Sequence, residues 1–231
     1  HAIRASGGKL PVNLVLVAEG EEEIGSPNFP QIVLEAPQVR AALEKTVGIF
    51  MPSHSQEGDG SVTISLGSKG DIEFDLVATG AAWGRGPGRD VHSSLAAQLD
   101  QPAWRLVQAI NTLVTANGDP AIDGLFDNVR PLTAEEEAML DVIAQRVDEK
   151  TLLEGVQAKV WARDADWRQA LEDYVSRPTV TIEGLVGGYT GPGGKTILPT
   201  KMTAKMDMRL VPDMTAAETY AKVRAHLDKR G

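Results

Sequence analysis

Val12 to Ser26 reads VNLVLVAEGEEEIGS, an apolar run that stops abruptly at Glu19, Glu21, Glu22 and Glu23 and then at a Gly-Ser turn. Apolar side chains fill even and odd positions alike from Val12 to Ala18, so the spacing predicts a strand buried on both faces. Such strands belong to parallel sheets, whose ligands sit beyond the carboxyl ends of the strands. The four glutamates stand at that end. Crowded carboxylates repel one another, and a cation among them is favoured. A solvated acidic loop is the alternative reading.

The ends of the chain bear on the same strand. His1 opens on the tail of a helix that runs into Gly7-Gly8, and Lys229-Arg230-Gly231 closes on a helix with its C-cap glycine. A parallel strand needs neighbours, and few residues precede Val12 to supply them. The expectation is therefore a piece of a longer chain. Its 231 residues are enough for one large domain or two modest ones. Hydrophobic content of 42% and charged content of 24% are ordinary for a globular protein. A net charge of -9 argues against a nucleic-acid partner, which calls for a basic surface. No apolar run approaches a membrane span and no signal peptide is visible, so no membrane is expected and a cytoplasmic location is the default. The absence of cysteine excludes disulfides and thiolate metal sites.

Beyond the acidic turn, Ser26-Pro27 and Pro30 favour a helix start, Val39 to Thr46 a second short helix, and Gly48 to Met51 a short strand. Ser53 to Gly60 is a polar loop. The period then changes to two: Val62, Ile64 and Leu66 alternate with polar residues, as do Ile72, Phe74 and Leu76. Alternation means strands with one wet face, hence an antiparallel sheet, and the change near Gly67 to Gly70 marks a domain boundary. Ala81 to Arg89 is a Gly-rich loop. A helix from about Pro102 presents Leu106, Val107, Ile110, Leu113 and Val114 on one stripe. Thr133-x-x-Glu136 is a capping box before Met139, Leu140, Ile143 and Val147, and a further helix holds Trp167, Leu171, Tyr174 and Val175. Thr179 to Glu183 and Met202 to Leu210 alternate as strands, with the flexible Gly187 to Gly194 between them. Thr215-x-x-Glu218 caps a last helix with the stripe Tyr220, Val223 and Leu227. Strand, helix, helical insertion, two strands and a helix make most of a split β-α-β plan, with a closing edge strand expected after Gly231.

Adjacent glutamates in an extended segment diverge, which suits Glu23 as a metal ligand and Glu22 as a general base toward water. His92 follows the Gly-rich loop in Asp90-Val91-His92-Ser93-Ser94, where an incidental loop histidine is the alternative. Arg209 shares the polar face of its strand with Lys205 and Asp207, and a cross-strand ion pair is its alternative. Thr196, after Gly193-Gly194-Lys195, offers a hydroxyl to a ligand or is a plain turn residue. His226-Leu227-Asp228 imitates a metal pair, but residues two apart on a helix do not share a face. Gly84, Gly86 and Gly88 lack the strand-to-helix context and the lysine of a phosphate loop.

Four stretches, EGEEEIGS (Glu19 to Ser26), GRDVHSS (Gly88 to Ser94), GPGGKTILP (Gly191 to Pro199) and MDMRLVPDMT (Met206 to Thr215), come in an order that resembles the co-catalytic zinc metallopeptidase and deacylase family. That family includes acetylornithine deacetylase, succinyl-diaminopimelate desuccinylase, aminoacylase, glutamate carboxypeptidase and the carnosinase-type dipeptidases, the last being most similar in spacing. The resemblance implies that Glu22 is the general base and Glu23 a metal ligand. His92 would reach from a lid domain into the partner subunit's site to stabilise an oxyanion. Arg209 would bind the substrate's carboxylate and Thr196 its backbone. It also implies two zinc ions, hydrolysis of a dipeptide or N-acyl amino acid, and a homodimer joined through lids. Ser53 stands where the dipeptidases supply an Asp ligand, with His54 beside it as a substitute, so a second zinc is in question. The family's upstream His-x-Asp strand and bridging Asp and its downstream metal-binding His have no counterpart in the sequence.

The expected fold is thus α/β with α+β. Residues 1-69 would be a remnant of a mostly parallel-sheet catalytic domain, and 70-231 a ferredoxin-like lid with a helical insertion at about 125-178. By themselves these residues are expected to hydrolyse little. A non-catalytic dimerisation or interaction module is the competing reading.

Overall fold

Met202 to Leu210 lies within the middle strand of a three-stranded antiparallel sheet in a computed structural model of the chain, which describes residues 2-51, 60 and 62-231. The chain divides into two units, His1–Ser65 and Leu66–Gly231. The first contains α1 (Ala2–Ala5), a 3₁₀ turn at Glu22–Ile24, a π turn at Gln31–Glu35 and α2 (Pro37–Leu43). The second begins with β1 (Gly70–Thr79), a short α3 (Gly80–Trp83) and β2 (Val91–His92). It continues through α4 (Pro102–Thr112), α5 (Ala134–Arg146), α6 (Glu149–Gly155) and α7 (Trp167–Ser176). β3 (Thr181–Gly187), β4 (Ile197–Leu198), β5 (Lys201–Leu210) and α8 (Ala216–Arg230) complete it. The larger sheet runs in the order β1-β5-β3, and β2 pairs with β4 in a separate ribbon.

The two-residue period explains both faces of the sheet. Register sets Ile72 opposite Met208, Phe74 opposite Met206 and Leu76 opposite Ala204. On these side chains pack Leu106, Ile110 and Leu113 from α4 and its C-cap, and Val223 from α8. The same register sets Asp71 opposite Arg209, Glu73 opposite Asp207 and Asp75 opposite Lys205 on the other face. One sheet therefore has an apolar face under helices and a charged one away from them, as the alternation demands. β3 joins β5 with an irregularity between Ile182 and Gly184, and starts two residues later than Thr179.

Local signals set the helix ends. Thr133 Oγ1 accepts from Glu136 N–H at 3.2 Å, and Glu136 Oε2 accepts from Thr133 N–H at 2.7 Å, the reciprocal box expected from the sequence. Arg130 grips the same carboxylate with two guanidinium nitrogens at 2.7 and 2.6 Å. Arg130 first, and then the Thr133 N–H, hold the Glu136 carboxyl down to about 2 from its ordinary 4.5. A carboxyl whose value is lowered by folding adds stability above its unfolded value and loses it as pH falls through the folded one. The difference in stability between the parent chain and Glu136→Gln should accordingly shrink from about pH 4.5 down to about 2. Chemical denaturation across that range checks this, and a pH-independent difference would refute the cap's ionic character.

Some sequence expectations need correction. In α5 only Leu140 of the predicted stripe is buried, while Met139, Ile143 and Val147 stay exposed. α6 was not expected; Asp148 caps it through Thr151. In α8 the buried positions are Thr219, Val223 and His226, and Tyr220 is exposed. His226 is only 1% exposed. Its Nδ1 accepts from Asp123 N–H at 3.0 Å and its Nε2 faces Thr112 O at 2.9 Å, so it is a core residue, while Asp228 pairs with Arg224. Discounting the His226–Asp228 metal pair agrees with this arrangement.

In the first unit Val12 to Ala18 forms no strand, and Leu14 and Leu16 are 76% and 85% exposed. Gly48 to Met51 and the alternating Val62 and Ile64 form none either, nor does Leu66 at the start of the second unit, and their apolar side chains are exposed. The physical reason is shared: a ladder needs a partner, and the described residues of this unit hold no second strand. Most of the polar loop from Ser53, including Ser53 and His54, lies outside the described residues. Among the described residues no helix is long and apolar enough to cross a membrane.

Candidate active site

Hydrogen bonding sorts the four glutamates of the acidic turn into two kinds. Glu19 accepts from Ser26 Oγ at 2.5 Å, and both oxygens of Glu21 accept from Asn28 Nδ2 at 2.9 Å. These two close the turn across the 3₁₀ segment, which Gly25 ends at φ 84° with its N–H on Glu22 O. Glu22 and Glu23 are exposed, and neither side-chain carboxylate has a hydrogen-bond partner among the described residues. They sit on a tight helical turn rather than in the extended segment expected. Successive residues of a 3₁₀ turn point about 120° apart, so the two carboxylates still diverge.

Glu23 has the right chemistry for a zinc ligand, but one carboxylate is not a site. Structural zinc takes four ligands and catalytic zinc three plus a water. Among the described residues no three His, Asp or Glu side chains converge in that way. The described residues therefore do not fit a zinc ion by themselves.

In the second unit the structure brings together two predicted residues that are far apart in sequence. β2 and β4 pair Val91 with Leu198 and His92 with Ile197, and Ser93 N–H donates to Thr196 O at 3.1 Å. His92 and Thr196 are thus neighbours on one exposed ribbon. The His92 ring is oriented locally: Ser94 N–H donates to Nδ1 at 3.2 Å, with Ser94 Oγ 2.8 Å away. With Nδ1 accepting, the neutral ring has its proton on Nε2, which has no partner among the described residues. The ring therefore offers an N–H outward.

Thr200 fastens this ribbon to the main sheet. Its N–H donates to Asp90 Oδ1 at 2.9 Å, its Oγ1 donates to Pro87 O at 2.7 Å, and its carbonyl accepts from Gly80 N–H at 2.9 Å. All its polar groups are spent on the loop between β1 and β2. Sequence reading overlooked Thr200, Asp90, Gly80 and Ser94; only the Ser two residues after His92 gave a local signal.

Arg209 stands elsewhere, on the charged face of the larger sheet. Its Nη1 lies 3.3 Å from Asp71 Oδ2 across the strands, and its Nε lies 2.9 Å from Asp207 Oδ2 as an ion contact rather than an aligned hydrogen bond. Asp207 is 5% exposed. Desolvation first, and then the neighbouring Asp207, push the Asp71 carboxyl above its ordinary value, with Arg209 pulling the other way. The cross-strand ion pair weighed in the sequence thus exists. It leaves Nη2 without a partner among the described residues, and a guanidinium has donors for a further carboxylate.

Residues 77–231 match the Peptidase dimerisation domain family of the M20 peptidases. Over the whole chain, the Cys-Gly metallodipeptidase DUG1 of Candida albicans is 28% identical across 222 residues, which are 96% of this chain and 44% of that protein. Among solved structures, the M20 family metallo-carboxypeptidase Sso-CP2 of Sulfolobus solfataricus is similar with TM-score 0.68 and 31% identity, over 76% of this chain and 44% of that one. Human carnosine dipeptidase 1 is similar with TM-score 0.72 and 26% identity, over 99% and 46%. The chain thus spans less than half the length of these relatives. A family match over most of the chain, on the sheet and helices that hold His92, Thr196 and Arg209, places this protein in the M20 peptidase dimerisation-domain family.

Proposed function

We propose that the chain works as part of a metal-dependent dipeptidase or N-acyl amino acid hydrolase, with zinc as the metal. Residues 1-69 would belong to a mostly parallel-sheet catalytic domain and 70-231 to a lid with a helical insertion at about 125-178. The observation that carries this reading is the ribbon that sets His92 opposite Ile197, with Thr196 next along the chain opposite Ser93 and the His92 Nε2–H facing outward. Glu22, unencumbered in its turn, would take a proton from the attacking water, and Glu23 would be one metal ligand among others supplied from outside the described residues. The His92 N–H would stabilise the oxyanion. Thr196 would hold the substrate backbone, and Arg209 its carboxylate through the donors that Asp71 and Asp207 leave over.

The homodimer is part of the same proposal. Support comes from α4, which leaves Trp104 61% and Val107 46% exposed, and from the edge strand β1, which leaves Val77 exposed. If His92 serves the partner's site, two defective copies should repair one another. In a polypeptide of the relatives' length, His92→Ala is expected to lower kcat for dipeptides about 10²-fold with little change in KM. Mixed and reassembled with Glu22→Gln protein, it should regain roughly a quarter of the parent activity, since random pairing makes half the dimers mixed and one site in each complete. Mixtures no more active than either variant would sink the exchange of His92 between subunits.

A further inference from the structure

A cavity of about 730 Å³ opens in the second unit beside the inserted helices, away from the His92 ribbon. That size is ordinary for sites that take small organic molecules, roughly 300–1,000 Å³. Leu152 from α6, Leu171 and Tyr174 from α7, and Val156 between them give it apolar walls. Trp161 and Trp167 stack at 5.2 Å on the same wall. Val156 and Tyr174 are both exposed where they line it.

The charges around the cavity do not balance. Asp119 binds Arg163 and Arg177, Asp173 binds Arg163, and Arg177 lies 3.9 Å from Asp173, so two arginines and two aspartates close a neutral ring. Lys69 is the cation left over. Its Nζ donates to the neutral Arg177 carbonyl at 2.7 Å and stands 5.6 Å from the centre of the Tyr174 ring. No carboxylate within ion-pair distance answers it among the described residues. Burial first pushes the ammonium below its ordinary value, with the charge of Asp173 raising it and that of Arg209 lowering it further.

From the apolar walls, the stacked indoles and the single uncompensated ammonium, we infer that this cavity binds a small organic anion with an aromatic or branched apolar body, its carboxylate on Lys69 and its body against Trp161 and Trp167. 4-Phenylbutyrate is a direct probe, and its amide is the uncharged control. Titrated into the whole chain, the acid should shift the indole N–H resonances of Trp161 and Trp167 saturably and leave those of Trp83 and Trp104 in place. The amide should bind about tenfold more weakly, the scale of one charge-assisted hydrogen bond. Lys69→Met should reduce the acid to the amide's affinity, and Ala170→Trp, which fills the cavity, should abolish both. Equal binding of acid and amide to the unaltered chain overturns the role of Lys69 without any variant. The absence of a saturable shift, or shifts that follow protein concentration instead of ligand, overturns the site and favours a second copy or another protein as its occupant.

Discussion

Gly80→Ala is expected to destabilise the second unit by at least about 3 kcal/mol, a large effect for one methyl group. A Cβ on Gly80 would lie 2.3 Å from Pro87 O, 2.6 Å from Gly86 C and 2.7 Å from Pro87 N. These are backbone atoms, so no side chain can swing aside. Loop and strand meet here through two glycines, since a Cβ on Gly86 would in turn lie 2.9 Å from Gly80 Cα. The same place is where Gly80 N–H and Pro87 O meet Thr200. Forcing them apart strains the hydrogen bonds that fasten the His92 ribbon. Gly84→Ala is the control: nothing lies within 4 Å of where its methyl group would stand, and only its φ of 74° opposes the change, at a cost of about 1 kcal/mol. Denaturant titration of both variants decides the matter. A Gly80→Ala cost no greater than that of Gly84→Ala would mean the two backbones are not in enforced contact.

The largest expected effect on activity belongs to Glu22. In a polypeptide of the relatives' length, Glu22→Gln should lower dipeptide turnover about 10³-fold while bound metal stays unchanged. Glutamine keeps the size and shape of the side chain and loses only the ability to take a proton. The change should leave folding alone, because Glu22 is exposed and its carboxylate holds no hydrogen bond among the described residues. Glu19 and Glu21, which close the turn through Ser26 and Asn28, should behave oppositely: their replacement loosens the turn and acts on Glu22 indirectly. Metal analysis separates the possible roles. Parallel loss of metal and turnover would make Glu22 a ligand, and full turnover in Glu22→Gln would remove it from the chemistry.

What could be read from the sequence depended on whether the information was local. β5 was legible because one strand wrote its whole environment into its own alternation, methionines to the core and Lys205, Asp207 and Arg209 away from it. Val62, Ile64 and Leu66 show the same period and form no strand, because alternation specifies a strand's faces and not whether a partner is present. The capping box at Thr133 and the N-cap at Thr215 were legible for the same local reason. The inward turn of His226 was not, since it is decided by Asp123 N–H and Thr112 O, which come from other parts of the chain. Glu22, Glu23, His92, Thr196 and Arg209 were singled out from the sequence as candidates. The pairing of His92 with Ile197, the bond from Ser93 N–H to Thr196 O and the fastening by Thr200 are long-range contacts without a local pattern.

The alternation in β5 also acts as a quality check on Arg209. Side chains of a strand change face at every step, so a slip of one position against β1 and β3 would drive the guanidinium in among Leu106 and Ile110 and eject Met208 into water. Such a chain would lose its core before it misplaced its arginine. A chain with Arg209 out of place would therefore be unfolded instead of folded but defective. The methionines on one side of the strand proofread the charge on the other.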